Sequence, residues 1–421
     1  MKNVVKIKTQ YYNSLMEIKY SNRVNQLKPY LFADLDARRD ELIARGETVI
    51  DLGVGDPDIP TCNTIIKALK RECMNPKTHR YPGYQGTLKF RMAIADYYKH
   101  RFQADLDPDQ EIISLLGSKE GIFHAPLAFI NPGDYALIPD PGYPVYETGV
   151  NFAGGNCFVM PLLEENHYLP DFDAIPEDIL DKAKIMFLNY PNNPTGADAT
   201  ADFLDKAIEF AERHSILILY DNAYGDLYSG SVRTAPLSIL ARPGGKAAAI
   251  EFNSFSKPFS MTGWRVGFAL GSAKAVQGLL RVKKNIDSGV FEAIQIAAVK
   301  ALTDCELIVN ENNDIYTRRK ETFSRIVSES NWNIPVTGST FYLWTKVPEG
   351  PPEKDDLYWA DLLLTKAHVV AAPGSGFGTY GKGYLRFAMT ANIASIEKAA
   401  QAIAEVVSQE TQQLKEFKAG E

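Results

Sequence analysis

Short apolar runs ending in Gly, Pro, Asn or Asp recur along the chain, and between them apolar residues return at three- and four-residue spacing. The first periodic stretch, YLFADLDARRDELIARG over 30–46, predicts an amphipathic helix closed by a glycine. Residues 48–52 predict a short strand. It runs into GVGDPDIPT, a turn whose amides can meet a ligand or simply join strand to helix. A helix over 62–74 follows, and then a turn with Tyr81 and Tyr84 leads into a long amphipathic helix. A strand over 111–116 enters GSKEG and a helix from about residue 120. Further strands are predicted over 135–138, 157–160, 184–188, 216–220 and 247–252. The first of these ends in PDPGYPVY, the third in NYPNNPTG and the fourth in Asp221.

Strands alternating with helices over this span predict an α/β fold with a largely parallel sheet covered on both faces. Ligands of such sheets sit beyond the carboxyl ends of the strands. Helices over 273–284, 291–303 and 305–330 come next. From Trp332 the pattern changes to short strands (340–346, 369–371, 384–388) among helices, ending in a long helix from about residue 394. This part predicts a smaller α+β domain that also takes in residues near 30–54. The expected division is an arm at 1–29, a first part of the small domain at 30–60, a large domain at 61–300 and the rest of the small domain at 301–421. The arm, with Tyr11, Tyr12 and Tyr20, has little periodicity and reads as a segment that packs on another surface, such as a second subunit.

Composition narrows the class. The chain has 421 residues and a formal net charge of −7, which argues against nonspecific nucleic-acid binding. Its four cysteines form no CxxC pair and read as free thiols of a reducing compartment. The opening residues hold no apolar signal core, and no run approaches the ~18 apolar residues of a membrane span. The expected location is the cytoplasm.

Candidate chemistry centres on EFNSFSKPFSMTGWRVGFALG, residues 251–271, in which a Gly-rich turn bearing Arg265 follows the lysine. Lys257 has apolar flanks that predict burial, and desolvation lowers an amine's pKa, so that it can attack a carbonyl. Ser254, Ser256 and Arg265 nearby suit a phosphate. The Gly-Ser turn before the helix at Ser118, with Lys119, offers unpaired amides to the same anion. An aldehyde that carries a phosphate and condenses on a lysine describes pyridoxal phosphate. Asp221 can hold a proton on the ring nitrogen, Tyr224 and Asn193 can donate to the ring's phenolic oxygen, and Tyr143 can cover one face, core packing being its alternative. Asn193, Asp221, Tyr224 and Lys257 all fall just after predicted strand ends, which places them in one site.

NYPNNPTG, YDNAY, SFSK followed by GWRVG, and Arg386 in YLRFAM together resemble the class I/II aminotransferases of pyridoxal-phosphate fold type I, over nearly the whole chain. That resemblance implies a homodimer with shared sites, acting on amino acids and 2-oxo acids by a ping-pong mechanism. It implies Lys257 as the Schiff-base lysine and proton carrier, and Asp221 as the pyridinium partner. Arg386 becomes the clamp for the substrate α-carboxylate, with a backbone amide at Gly55 assisting. Within the family, YLFADLDARR, GSKEG, DPGYPVY and KKNIDSGVFEAIQ look like the LL-diaminopimelate aminotransferases. The substrate side then also draws on Tyr30, Tyr81, Tyr84, Lys119, Tyr143, Asn193 and Ser288. The better-known branch has Glu at Tyr84 and Asn at Ser288. Transamination of aspartate, alanine, aromatic residues or methionine is the alternative, as is a β-lyase on the same fold. A noncatalytic binding module is a remote one.

Overall fold

The computed structural model describes residues 18–25, 27, 33–229 and 235–420. Two units are distinguished, 1–31 and 32–421. In the first, the described residues carry a single short helix, Asn22–Asn25, and an exposed Tyr20; Tyr11, Tyr12 and Tyr30 lie outside the described residues.

The second unit opens with α1 (Ala33–Ala44), β1 (Ile50–Asp51), α2 (Asn63–Cys73) and α3 (Leu88–Phe102). Then come β2 (Ile112–Leu115), α4 (Ser118–Phe129), β3 (Tyr135–Asp140), α5 (Val145–Ala153), β4 (Asn156–Pro161) and β5 (Ala183–Asn189). They are followed by α6 (Ala201–His214), β6 (Leu217–Asp221), β7 (Ala249–Ser254), β8 (Gly267–Gly271) and α7 (Ala273–Lys283). The remainder is α8 (Glu292–Asp304), α9 (Glu306–Ser328), β9 (Tyr342–Lys346), α10 (Asp356–Ala367), β10 (Val369–Val370), β11 (Ala372–Pro373), β12 (Tyr384–Ala388) and α11 (Ile393–Gly420).

Seven strands form one sheet in the order β2-β8-β7-β6-β5-β3-β4. Its central strands are apolar along their length because both faces are covered. Ile218, Tyr220 and Phe268 pack with α2, α3, α6 and α8 on one face, and Leu219, Phe252 and Phe187 with α4, α5 and α7 on the other. Side chains at Thr87 and Thr200 cap α3 and α6 by accepting from Phe90 and Phe203 amides.

One strand escaped the sequence reading. The Gly-rich stretch after Arg265 is not only a turn: 267–271 is β8, antiparallel to both β2 and β7, whereas the other six strands run parallel. Glycine is required at its start, where a Cβ on Gly267 would come within 2.7 Å of the Asn253 carbonyl and 2.9 Å of the Ser118 amide. Propensity alone disfavours such a strand, and close packing overrides it. Two smaller differences follow the same rule. The strand expected over 369–371 divides into β10, paired in parallel with β1, and β11, paired with β12. The helix expected from residue 120 starts at Ser118, so the Gly-Ser turn is itself the helix start.

A second, three-stranded antiparallel sheet, β11-β12-β9, packs with α9, α10 and α11 around Trp359, Phe387 and Ile403. Among the described residues, no helix is long and apolar enough to cross a membrane.

Candidate active site

The parallel strands deliver their carboxyl ends to one edge of the sheet. Asp221 closes β6, Asn193 lies four residues beyond Asn189 at the end of β5, Lys257 three beyond β7, and Tyr143 three beyond β3. Because β8 runs the other way, its first residue pairs with Leu115 and Ser254, the last residues of β2 and β7. Arg265, two residues earlier, is thereby brought to the same edge. The antiparallel strand is what adds a guanidinium to a row of parallel strand ends.

At this edge several donors that suit a phosphate-sized anion stand together. Gly117, with φ +83°, is the N-cap of α4, and a Cβ there would stand 2.7 Å from Arg265 Nη2. Arg265 donates to the Thr262 carbonyl at 2.8 Å and the Leu116 carbonyl at 3.3 Å, which hold it beside the helix start. Lys119 and Arg265 line one cleft with Leu116 and Val145. Ser254 and Ser256 are buried, and the Ser256 amide donates to Ser254 Oγ at 3.1 Å. The amides at a helix N-terminus and the adjacent cation favour an anion here.

Asp221 is buried and, among the described residues, forms no ion pair. Its Oδ2 accepts from the Tyr146 hydroxyl at 2.8 Å, and its Oδ1, among the described residues, only from the Ala223 amide at 3.3 Å. Burial pushes its carboxyl up to about 6, against the hydrogen bonds of Tyr146 and Ala223. Tyr224 follows in a turn, in which Gly225 packs tightly on the Asn222 side chain. The half-buried Tyr143 lies near Asp221, and burial foremost pushes its phenol up.

Lys257 Nζ donates to the Gly55 carbonyl at 2.6 Å. Burial lowers its amine below the ordinary lysine range, against the attraction of Tyr342 and Asp56. The amine is therefore easier to deprotonate, and the carbonyl holds it in place. Arg386 is buried. It donates to Asn193 Oδ1 and to the Gly53 carbonyl, both at 2.6 Å, while its Nε has no hydrogen-bond partner among the described residues. The guanidinium lies 4.2 Å from the Tyr342 ring centre and 4.6 Å from that of Phe377. A buried arginine with an open donor is able to take up a carboxylate.

The structure thus gathers Lys257, Asn193, Tyr224, Arg386 and Gly55, linked through Tyr342, with Asp221 and Tyr143 beside them. Gly55 enters through its carbonyl. Tyr81, Tyr84 and Ser288 are exposed, and among the described residues no hydrogen bond or ring contact joins them to Lys257's surroundings. They lie together instead: a Cβ on Gly289 would come within 3.1 Å of the Gly83 carbonyl and 3.6 Å of Tyr84 Cα. Two residues were missed. Tyr146 sits in the quoted PDPGYPVY and could have been found one helical turn from Tyr143. Tyr342 has no motif of its own.

A buried acid lacking a cation, a poised amine, and a helix N-terminus beside an arginine fit the ring nitrogen, aldehyde and phosphate of pyridoxal phosphate.

The family model described as aminotransferase class I and II matches residues 47–403. An LL-diaminopimelate aminotransferase of Aquifex aeolicus is 48% identical over 384 residues, covering 91% of this chain and 98% of that one. Another, of Halothermothrix orenii, is 45% identical, covering 90% and 96%. Among solved structures, substrate-bound BacF from Bacillus subtilis superposes with a TM-score of 0.88 at 35% identity, covering 93% and 98%.

Proposed function

This chain belongs to the class I and II aminotransferases, and from that membership we propose that it moves an α-amino group between LL-diaminopimelate and 2-oxoglutarate. The family's cofactor is pyridoxal phosphate. When bound, it supplies an aldehyde for amino groups and a protonated ring that draws electrons from the substrate's α-carbon.

The observation that carries the reading is the meeting of Lys257, Asn193, Tyr224 and Arg386 around Tyr342 and Gly55, beside a buried Asp221. Lys257 Nζ holds the cofactor and then moves the proton of the substrate α-carbon, for which a lowered amine pKa is suited. Asp221 keeps the ring nitrogen protonated. Asn193 already spends its oxygen on Arg386, so its amide nitrogen and the Tyr224 hydroxyl are the donors to the phenolic oxygen. Ser118, Lys119, Ser254, Ser256 and Arg265 anchor the phosphate, and Tyr143 covers the ring. Arg386 clamps the α-carboxylate through its fork.

The distal end of the substrate falls to Tyr81, Tyr84 and Ser288 of a second subunit, in a cytoplasmic homodimer with shared sites. Residues 61–300 then act as the cofactor domain, and 30–60 with 301–421 as the smaller one. The relatives at 43–48% identity support diaminopimelate as the amino donor.

The test has two parts. Borohydride reduction of the yellow holoenzyme should fix the cofactor to Lys257, read by mass spectrometry; an adduct on another lysine overturns the site. A panel of amino donors with 2-oxoglutarate should show LL-diaminopimelate with the highest kcat/KM. Faster turnover of aspartate, alanine, an aromatic residue or methionine would replace the substrate and keep the site.

A further inference from the structure

Tyr342 stands on β9, away from the strand ends that supply the other groups. Its hydroxyl lies 2.9 Å from that of Tyr224, and both side chains are buried. Its ring carries the Arg386 guanidinium at 4.2 Å. A Cβ built on Gly55 would run into the Tyr342 hydroxyl, so only glycine leaves room for this oxygen, and the carbonyl of that same glycine holds Lys257 Nζ at 2.6 Å. One phenol therefore touches the Tyr224 hydroxyl, the carboxylate clamp and the residue that seats the lysine.

A phenol has one proton to donate and lone pairs to accept with. If Tyr224 gives its proton to the cofactor's phenolic oxygen, its bond with Tyr342 can run in one direction only. Tyr342 donates, and Tyr224 accepts. A hydroxyl that receives a hydrogen bond is polarised and becomes a stronger donor itself. We propose that Tyr342 is a positioning residue whose hydroxyl turns the Tyr224 proton toward the cofactor while its ring seats Arg386; this rests on the roles proposed above for Tyr224 and Lys257.

Charged and titratable groups facing this cluster are Asp221, Asp56, Arg386, Arg265, Tyr143 and Lys257 itself. Tyr342→Phe removes none of these groups. Burial keeps the Tyr224 phenol well above its usual range, so it stays a donor through neutral pH.

The experiment titrates the visible absorbance of the holoenzyme with pH, which follows the proton shared between the lysine-cofactor linkage and the phenolic oxygen. A donor to that oxygen favours loss of the proton. Tyr342→Phe should therefore raise the apparent pKa by up to about one unit, and Tyr224→Phe should raise it further. In the Tyr224→Phe background, the second substitution should add nothing. Gly55→Ala, which displaces the same hydroxyl, should shift the titration in the same direction. The inference is overturned if Tyr342→Phe titrates as wild type, or if its shift persists in full without the Tyr224 hydroxyl. A loss of melting temperature with an unchanged titration would make Tyr342 a packing residue only. If borohydride still fixes the cofactor to the chain of Lys257→Ala, the underlying site assignment has failed instead.

Discussion

Two buried carboxylates on neighbouring strands divide the large sheet between its two faces. Tyr220 of β6 pairs with Glu251 of β7, and Asp221 with Phe252, so the acids point to opposite sides. Each meets a tyrosine from a covering helix, Tyr98 of α3 for Glu251 and Tyr146 of α5 for Asp221. Burial raises the pKa of both, and neither forms an ion pair among the described residues. They differ in what else they hold. Glu251 accepts from Tyr98 and Asn222 at 2.7 Å and from Ser238 at 2.6 Å. Asp221 has Tyr146 and one long amide bond, and it stands at the strand end. A buried acid with a full set of donors locks the elements that bring them together. One with an incomplete set, at the strand ends, has lone pairs left with which it can pair a cation.

The sharpest break of this comparison is Glu251→Ala. It strands three buried donors and should lower unfolding stability by about 3–5 kcal/mol in a denaturant titration, yet leave the catalytic groups in place. A loss under ~1 kcal/mol would deny the lock. On the other face, Asp221→Asn should cost ~10²–10³ in transamination rate, measured at saturating substrate. Near-normal turnover would mean that another group serves the ring nitrogen.

The same substitution should do the opposite to the cofactor-free protein. With its carboxyl raised from 3.8 to about 6, native Asp221 binds more protons than the unfolded chain between those values. Its contribution to stability is therefore greatest below pH ~4 and is lost as pH rises through about 6. Cofactor-free Asp221→Asn should exceed wild type in stability at pH 8 by on the order of 2–3 kcal/mol, and the gap should close toward pH 4. Equal stability across that range would show that Asp221 is solvated. The smallest effects separate the two tyrosines. Tyr98→Phe and Tyr146→Phe should each cost ~1 kcal/mol in melting measurements, but only Tyr146→Phe should also change cofactor affinity.

Much of this site was legible in the chain because its parts are contiguous with strand ends. Apolar runs closing in Asp221, in NYPNNPTG and in SFSK mark both the parallel sheet and the edge where its ligand sits, since period and punctuation are local properties. Asn193, Tyr224, Lys257 and Arg265 could be named on that basis. The direction of β8 could not, because a glycine-rich strand declares itself only when close neighbours demand glycine. Nor could Tyr342, which meets Tyr224 across 118 positions, or the Gly55 carbonyl, which meets Lys257 across 202. Local pattern decides which residues are buried and which close a strand. Which buried hydroxyl faces which is decided by the packing of the second sheet on the first, and only the tertiary structure carries that.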